Sequence, residues 1–180
     1  ILGAAVVPAT AADDSGLETV MVYARRLTPV SRVAATVTVI DQARIETTLA
    51  TDIRELVRYE PGLSVRNDPF RFGLDTISIR GLGGNRVAVE VDGIPAAGGF
   101  AVGSYADSGR AYVDAAFVDR VEFLRGPASS LYGSDAIGGV VAMTTLTPER
   151  LRARGEREYA VRTDAGYDSE SDGWRAAALA

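Results

Sequence analysis

The 180-residue chain contains no histidine, no cysteine and no lysine, and all 19 of its basic residues are arginine. Without histidine it lacks the usual general base at neutral pH, the serine–histidine arrangement and the commonest metal ligand. Without cysteine it has neither a thiol nucleophile nor a Cys-x-x-Cys metal site. Carboxylates or Ser129 are the groups left for catalysis, and Ser129 lies outside a G-x-S-x-G frame. An enzyme is therefore the weaker interpretation.

Positive charge and long apolar runs are also scarce. The formal net charge is −5 and the sequence pI is about 4.8, which argues against a nucleic-acid partner because phosphates require a basic face. No apolar window of about 18 residues or more occurs, so the sequence predicts no transmembrane helix. Hydrophobic residues nevertheless make up 47% of the chain, which is enough for one globular domain with a core.

The first thirty residues divide into two expected segments. Residues 1–12, ILGAAVVPATAA, are apolar and then small, and the Ala-Thr-Ala at 9–11 fits a signal-peptidase site, so we interpret them as the remnant of an export signal. Residues 13–30 follow as a polar linker around the β-prone stretch ETVMV, Glu18–Val22. Such a stretch either stays extended and adds as a strand to the sheet edge of a partner, or forms the first strand of the domain.

Residues 31–147 have the pattern of a mixed α+β domain with short helices. Alternating or β-branched runs predict strands at 36–40, 75–80, 87–91, 120–124 and 139–144. A short helix is expected near 42–47, and Asp52 with Glu55 predicts the start of a second helix that Pro61 and Gly62 end. The connections 64–74 and 94–111 are expected to be long loops, which often carry function.

The last thirty residues change character. Residues 148–157 are expected to be a charged linker, and residues 158–180 to form two alternating strands. Tyr167 and Trp174 lie near the ends of these strands. Alternation with aromatic residues near strand ends is typical of an outer-membrane β-barrel, although a soluble hairpin has the same pattern. The second strand would leave an open edge that further strands must close.

Four segments in order resemble the N-terminal plug of TonB-dependent outer-membrane transporters. ETVMV resembles the TonB box, IRELVRYEPGLSV the first plug helix and its end, TISIRGLGGNRVAVEVDGIP the IRG and DGI segment, and VDRVEFLRGPASSLYGSDAIGGVV the second signature. The resemblance spans roughly Glu18 to Thr145, and the segments together are highly specific. The phrase IRGLGGNRV, with RFG shortly before it, is most similar to the haem and haemoglobin-type receptors of that family.

The resemblance implies a plug held inside a barrel of about 22 strands in the Gram-negative outer membrane. Residues 158–180 would be the first barrel strands, with the rest of the barrel beyond residue 180 and lipid around it. TonB would be the periplasmic partner that delivers energy. It would bind the TonB box, which is formed by Glu18, Thr19, Val20, Met21 and Val22.

Two arginines match the plug arginines that pair with barrel glutamates in this family, Arg80 of IRG and Arg125 of RGP. Guanidinium groups bind carboxylates in a bidentate manner, so such pairs would fix the plug and still break when pulled. Pairing with an acid of the domain itself, such as Glu90 or Glu122, stays open as the alternative. Glycines at 126, 138 and 139 would allow the backbone to turn and to approach a surrounding wall.

The cargo is expected to meet loops at the extracellular end of the plug. The matching loop residues are Phe70, Arg71, Phe72, Phe100 and Tyr105. Aromatic side chains beside arginine suit a flat anionic ligand such as haem, and an aryl-containing ferric siderophore fits nearly as well. Packing against the barrel wall or beneath their own loops is the alternative. With no intrinsic cofactor and no histidine, a ferric iron would take its ligands from the barrel or from a tyrosine, Tyr105 or Tyr112.

Two alternatives to a haem receptor remain. One, within the same family, is a receptor for a ferric siderophore or for cobalamin. The other, outside it, is a free periplasmic binding module without a barrel. Further alternating segments of about ten residues beyond residue 180 would favour the barrel.

Overall fold

The computed structural model describes residues 20–23, 26–29, 35–48, 50, 52–68, 73–99, 101–102, 106–107, 113–152, 161–169 and 172–179. Strands and helices follow one another in the order β1 (Val20–Tyr23), β2 (Arg26–Pro29), β3 (Thr36–Asp41), α1 (Gln42–Thr48), α2 (Ile53–Val57), β4 (Leu63–Asp68), β5 (Gly73–Ile79), β6 (Val87–Val91), β7 (Ile94–Pro95), β8 (Ala101–Val102), β9 (Ala106–Asp107), β10 (Val118–Arg125), α3 (Ser129–Tyr132), β11 (Gly139–Thr145), α4 (Pro148–Arg152), β12 (Arg162–Asp168) and β13 (Gly173–Leu179). None of the described helices is long and apolar enough to cross a membrane.

A five-stranded mixed sheet forms the centre of the domain, with the strand order β3-β10-β11-β6-β7. The β6–β11 pair is parallel, and the other neighbours in this sheet are antiparallel. The remaining described strands pair as separate antiparallel hairpins, β1 with β2, β4 with β5, β8 with β9 and β12 with β13. The predicted α+β class with mixed strands and short helices is therefore confirmed.

The two faces of the sheet bury unequal cores. The large-core face carries Phe123 and Val141, which pack with residues from α1, α2, β4 and β5. The small-core face carries Leu124 and Val140 and packs with Ala136 from the connection before β11. Because both faces are covered, β6 buries Ala88 and Glu90 as well as Val87 and Val89. Each buried large apolar side chain contributes about 1.5–3 kcal/mol.

The helix starts follow local capping chemistry. The side chain of Asp52 accepts a hydrogen bond of 2.9 Å from the backbone N–H of Glu55, as the spacing predicted. Asp41 does the same for the N–H of Arg44 at the start of α1. Each such cap contributes about 1 kcal/mol. Helix α2 then ends at Val57, and the chain reverses at Gly62, where φ is 75°.

Three expected connections turn out to contain regular structure. The predicted loop 64–74 is largely the β4–β5 hairpin, in which Leu63 is opposite Ile79 and a bulge follows Val65. Polar residues interrupt the alternating pattern, so the sequence did not indicate these strands. Their hydrogen bonds to each other stabilise them. The predicted loop 94–111 contains three two-residue strands, and the predicted linker 148–157 begins with helix α4.

Gly138 and Gly139 closely approach other parts of the domain. A Cβ on Gly138 would lie 2.8 Å from Cβ of Leu82. Gly139 has φ of 152°, and a Cβ there would overlap the carbonyl oxygen of Leu124 and lie 2.7 Å from Cδ1 of Ile79. Both glycines let β11 enter the sheet beneath the turn after β5, and the expected approach to a surrounding wall stays a prediction.

Candidate functional site

Arg80 lies in a tight turn that fixes the direction of its side chain. Ile79 and Leu82 exchange backbone hydrogen bonds of 2.8 and 3.0 Å across the turn. Arg80 and Gly81 both have positive φ, 51° and 84°, which is the geometry of a type I′ turn. Arginine in this region is strained by about 1 kcal/mol or more. A further hydrogen bond of 2.7 Å, from the Arg80 N–H to the carbonyl of Gly62, holds the residue in place.

The Arg80 guanidinium lies on the surface. It is exposed, and its Nη2 donates a hydrogen bond of 3.3 Å to the hydroxyl of Thr36 on β3. Within the described part of the chain it contacts no carboxylate. Thr36 is in turn the strand partner of Arg125, so the two predicted arginines lie at the same end of the sheet.

Arg125 ends β10 on the large-core face and is buried, with 8% of its side chain exposed. Its Nη2 donates to Oε2 of Glu60 at 3.2 Å, and Glu60 is itself only 12% exposed. The Nε of Arg125 is buried and has no acceptor among the described residues. The guanidinium is therefore neutralised by one carboxylate but uses few of its five donors.

Glu60 joins Arg125 to a further arginine, Arg44. Its Oε1 accepts a hydrogen bond of 2.7 Å from Nη2 of Arg44 on α1, whose side chain is 48% exposed. Its Oε2 also lies 3.4 Å from the hydroxyl of Thr38, which donates to it. We call Arg44, Glu60, Arg80 and Arg125 the arginine site. Three guanidinium groups and one carboxylate give it a net charge of about +2.

The acids considered as local partners from the sequence are not the ones that bind Arg125. Glu90 and Glu122 occupy the positions of β6 and β10 that point to the small-core face, since residues alternate along a strand. Glu122 instead lies 3.0 Å from Nε of Arg120. The local partner is Glu60, which with Arg44 was missed, because no fixed spacing marks a contact made across 65 residues of sequence.

The predicted TonB box lies partly within the described chain. Glu18 and Thr19 fall outside it, whereas Val20, Met21 and Val22 form most of β1. Strand β1 pairs with β2, and Val20 lies opposite Pro29 at the end of the ladder. The extended conformation expected for these three residues is therefore present, within a two-stranded hairpin.

The expected cargo residues Phe70, Arg71, Phe72, Phe100 and Tyr105 lie outside the described residues, as does Tyr112. Their role stays a prediction. In the part of the chain that the structure describes, no cluster of three or more acidic residues could hold a metal ion.

The described residues also form a concavity that the arginine site does not line. It is an open groove of about 450 Å³ between α2 and β4. Its lining mixes charged and apolar side chains from Arg54, Glu55, Val57, Arg58, Leu63, Ser64 and Val65. It contains none of the predicted site residues.

The β12–β13 hairpin presents a continuous exposed face. Thr163 lies opposite Ala178, Ala165 opposite Ala176, and Tyr167 opposite Trp174 in the ladder, and all six are exposed. The rings of Tyr167 and Trp174 are 4.9 Å apart between centroids, and the tyrosine hydroxyl donates to Oδ1 of Asp172 at 2.7 Å. The face is thus small and apolar along its length and aromatic at its end.

The family model of the TonB-dependent receptor plug domain matches residues 29–140. The vitamin B12 transporter BtuB of Vibrio vulnificus is 35% identical over 136 residues, which are 73% of this chain and 21% of that protein.

Two solved structures are similar in fold. The FrpB iron transporter of Neisseria meningitidis (F5-1 variant) has a TM-score of 0.64 and 25% identity over 78% of this chain and 20% of its own. The ferric yersiniabactin uptake receptor FyuA of Yersinia pestis has a TM-score of 0.53 and 26% identity over 81% of this chain and 22% of its own. The chain spans about a fifth of the length of these relatives.

Three predictions from the sequence are settled by these similarities. The relatives are receptors and transporters, so the non-enzymatic interpretation is confirmed. The matched domain and proteins belong to the Gram-negative outer membrane, which confirms the predicted location. The plug architecture is confirmed as well.

Proposed function

Because this chain belongs to the TonB-dependent receptor plug domain family, we propose that it closes the pore of an outer-membrane receptor that imports a bulky metal chelate with energy delivered by TonB. The observation that carries the proposal is the arginine site. Two arginines of the family's segments lie at one end of the sheet, where the cationic groups outnumber the single acid. Such a surface is complementary to carboxylates on an enclosing wall.

In this proposal Arg80 and Arg125 pair with carboxylates of the barrel. The strained turn that holds Arg80, and its lack of a carboxylate among the described residues, suit an arginine that waits for an outside partner. Arg125 still has unused donors beside its bond to Glu60. Replacing both by methionine in the full-length receptor should loosen the plug, and entry of a bulky antibiotic measures the leak. Unchanged exclusion by the double variant would count against the pairing.

The coupling step uses the TonB box as an added strand. Strand β1 is already extended, and among the described strands its only partner is β2, so its second edge can take an added strand from another chain. Proline at Val20 would remove a donor and fix φ, so Val20→Pro should abolish energised uptake while external binding of cargo survives. Normal uptake by this variant would sink the coupling assignment, and Val20→Ala serves as the matched control.

We place the β12–β13 hairpin at the start of the barrel wall, with its small apolar face toward lipid. Its alternating pattern and terminal Tyr167–Trp174 pair match the aromatic girdle of such walls. Exposure of Trp174, 84% of whose surface is accessible, suits a side chain at a membrane interface. A free periplasmic module without a barrel remains the alternative, and it predicts no further alternating strands after residue 180.

The cargo is proposed to be a metal complex, with haem, a ferric siderophore and cobalamin as the candidates. The relatives named above transport vitamin B12, iron or ferric yersiniabactin. Haem rests on the predicted loop residues alone, and a chain without histidine would have to bind its iron through tyrosine or barrel residues.

Spectroscopic titration of the full-length receptor with haem, a ferric catecholate and cyanocobalamin separates the three cargoes. Absence of a Soret shift removes haem in favour of whichever other ligand binds. Single alanine substitutions at Phe70, Phe72, Phe100 and Tyr105 then test the loop site. If none changes the affinity for the bound cargo by about threefold, or ~0.65 kcal/mol, the loop assignment is wrong.

A further inference from the structure

In the proposed receptor, Arg125 can form an ion pair with either of two carboxylates. One belongs to the barrel, and the other belongs to this chain. The internal partner Glu60 is nearly buried, as is Arg125. Their contact is a single hydrogen bond of 3.2 Å, and the Nε of Arg125 has no acceptor among the described residues. Arg125 thus has an unused donor, which is buried in this chain alone. Once a second carboxylate reaches the guanidinium, it can bind there before the first one leaves.

Glu60 is held more tightly by a different arginine. The Arg44–Glu60 contact is 2.7 Å, and Arg44, whose own side chain is half-exposed, reaches Glu60 from helix α1. Thr38 donates a further hydrogen bond from β3. When Arg125 turns to an outside acid, Glu60 therefore keeps a cationic partner and does not become an isolated buried charge.

We propose that Glu60 is an exchange carboxylate: it holds Arg125 whenever the plug is away from the wall, and Arg44 holds Glu60 whenever Arg125 is bound to the wall. The inference rests on the proposed pairing of Arg125 with a barrel carboxylate and adds a positioning role for two residues outside the resembling arginine motifs. A buried arginine without a counter-charge is costly. Glu60 removes that cost from the released state and so lowers the barrier to releasing the plug.

The test is Glu60→Gln in the full-length receptor, because glutamine keeps the size and an acceptor but loses the charge. The released state then contains an uncompensated Arg125, so energised uptake should slow by about threefold or more. Cargo affinity and exclusion of a bulky antibiotic should not change. The matched control is Glu46→Gln, an exposed acid on α1 outside the site, which should retain the wild-type rate.

If Glu60 has only a structural role, a different outcome for uptake and antibiotic exclusion is expected. If Glu60 only stabilises the plug, Glu60→Gln should loosen it, so that uptake stays normal or the antibiotic leaks in, and either result overturns the proposal. The double variant Glu60→Gln/Arg125→Met provides a second criterion, since without Arg125 the loss of Glu60 should add no further slowing. Slowing that persists unchanged on top of Arg125→Met would also contradict the exchange.

The same set of variants separates this inference from the function on which it rests. If Arg125→Met affects neither uptake nor exclusion, the pairing with the wall is wrong. If Arg125→Met has an effect and Glu60→Gln behaves like wild type, only the exchange is wrong. Abolished uptake in Val20→Pro, measured in parallel, shows that the assay reports energised transport.

Discussion

The central sheet and the C-terminal β12–β13 hairpin use the same alternating pattern and reach opposite outcomes. In the sheet, Ile40, Phe123 and Val141 are fully buried because helices and hairpins of the same chain cover both faces. In the hairpin, Tyr167 and Trp174 stay exposed along with the small residues beside them. An alternating pattern therefore predicts that one face of a strand will be covered, but it does not predict what covers it. Other parts of the same chain cover the sheet, and we propose that lipid covers the hairpin.

In the central sheet, the largest loss of stability is expected from a substitution at Gly139. Alanine there would need a φ of 152° and would meet the Leu124 carbonyl and the Ile79 side chain. Backbone strain and overpacking together should lower the free energy of unfolding by about 2–5 kcal/mol. Urea denaturation of the chain measures the change. Gly98→Ala, whose Cβ would meet only Asn85 at 3.8 Å, is the matched control and should have little effect.

The next largest effect is expected at the Glu60–Arg125 ion pair, where replacing the two partners should cost different amounts of stability. In the chain alone, Glu60→Gln leaves Arg125 buried without a counter-charge, which should cost about 2–4 kcal/mol. Arg125→Met leaves Glu60 with Arg44 and Thr38, so its cost should be near 1 kcal/mol, closer to that of a surface pair. Denaturant midpoints of the two variants test the order. Equal losses would mean that Arg44 does not satisfy Glu60.

The N-terminal hairpin β1–β2 resembles β12–β13, because we expect it too to need a partner for its stability. Isolated two-stranded hairpins are marginal in water, so a third strand from TonB should stabilise β1 and β2 together. Thr28→Pro, opposite Met21, removes a donor from β2 and leaves the TonB box unchanged. We expect TonB affinity to fall by about tenfold, ~1.4 kcal/mol. Thr28→Ala is the control, and unchanged or tighter binding in calorimetry would show that β1 acts alone.

The smallest effect on stability is expected on the exposed face of the C-terminal hairpin. The chain has one tryptophan, so fluorescence from Trp174 reports this hairpin alone. Detergent micelles should shift its emission to shorter wavelengths, and Ala176→Asp on the same face should suppress the shift with less than about 0.5 kcal/mol of destabilisation. Its neighbour Ala177, on the other face, provides the control Ala177→Asp. Equal shifts in both variants would remove the lipid-facing assignment.

Local signals predicted the parts of the fold that depend on neighbours in sequence. The Asp52 cap and strands such as β6 and β11 follow from capping and alternation, and both are present. The β4–β5 hairpin was missed because Arg66 and its polar neighbours interrupt the alternation at a bulge. Its strands are stabilised by each other, and single-strand patterns do not contain that information.

The candidate site shows the same division. Arg80 and Arg125 were identified through segments that resemble a family. Glu60 lies in another of these segments, IRELVRYEPGLSV, but no role was assigned to it, and Arg44 lies outside all four. Arg44 and Glu60 are 16 residues apart, and Glu60 and Arg125 are 65 apart. Only the packing of α1, the turn between α2 and β4, and the end of β10 brings the three together. Ion pairs of this kind depend on how helices and strands pack together. That packing depends on the whole sequence, so no local pattern predicts the pairs.

The position of β3 at the edge of the sheet determines how the domain responds to mechanical load. The segment before Thr36 is attached to this strand, and among the described strands β3 has one neighbour, β10. Tension applied across the strands would therefore peel β3 away one residue pair at a time, beginning with Thr36 opposite Arg125. The first contacts to feel the force include the Arg80–Thr36 hydrogen bond. A pull on the N-terminal segment is thus delivered to the arginine site before it reaches the apolar core, and the work needed at each step is that of one pair and not of the whole ladder.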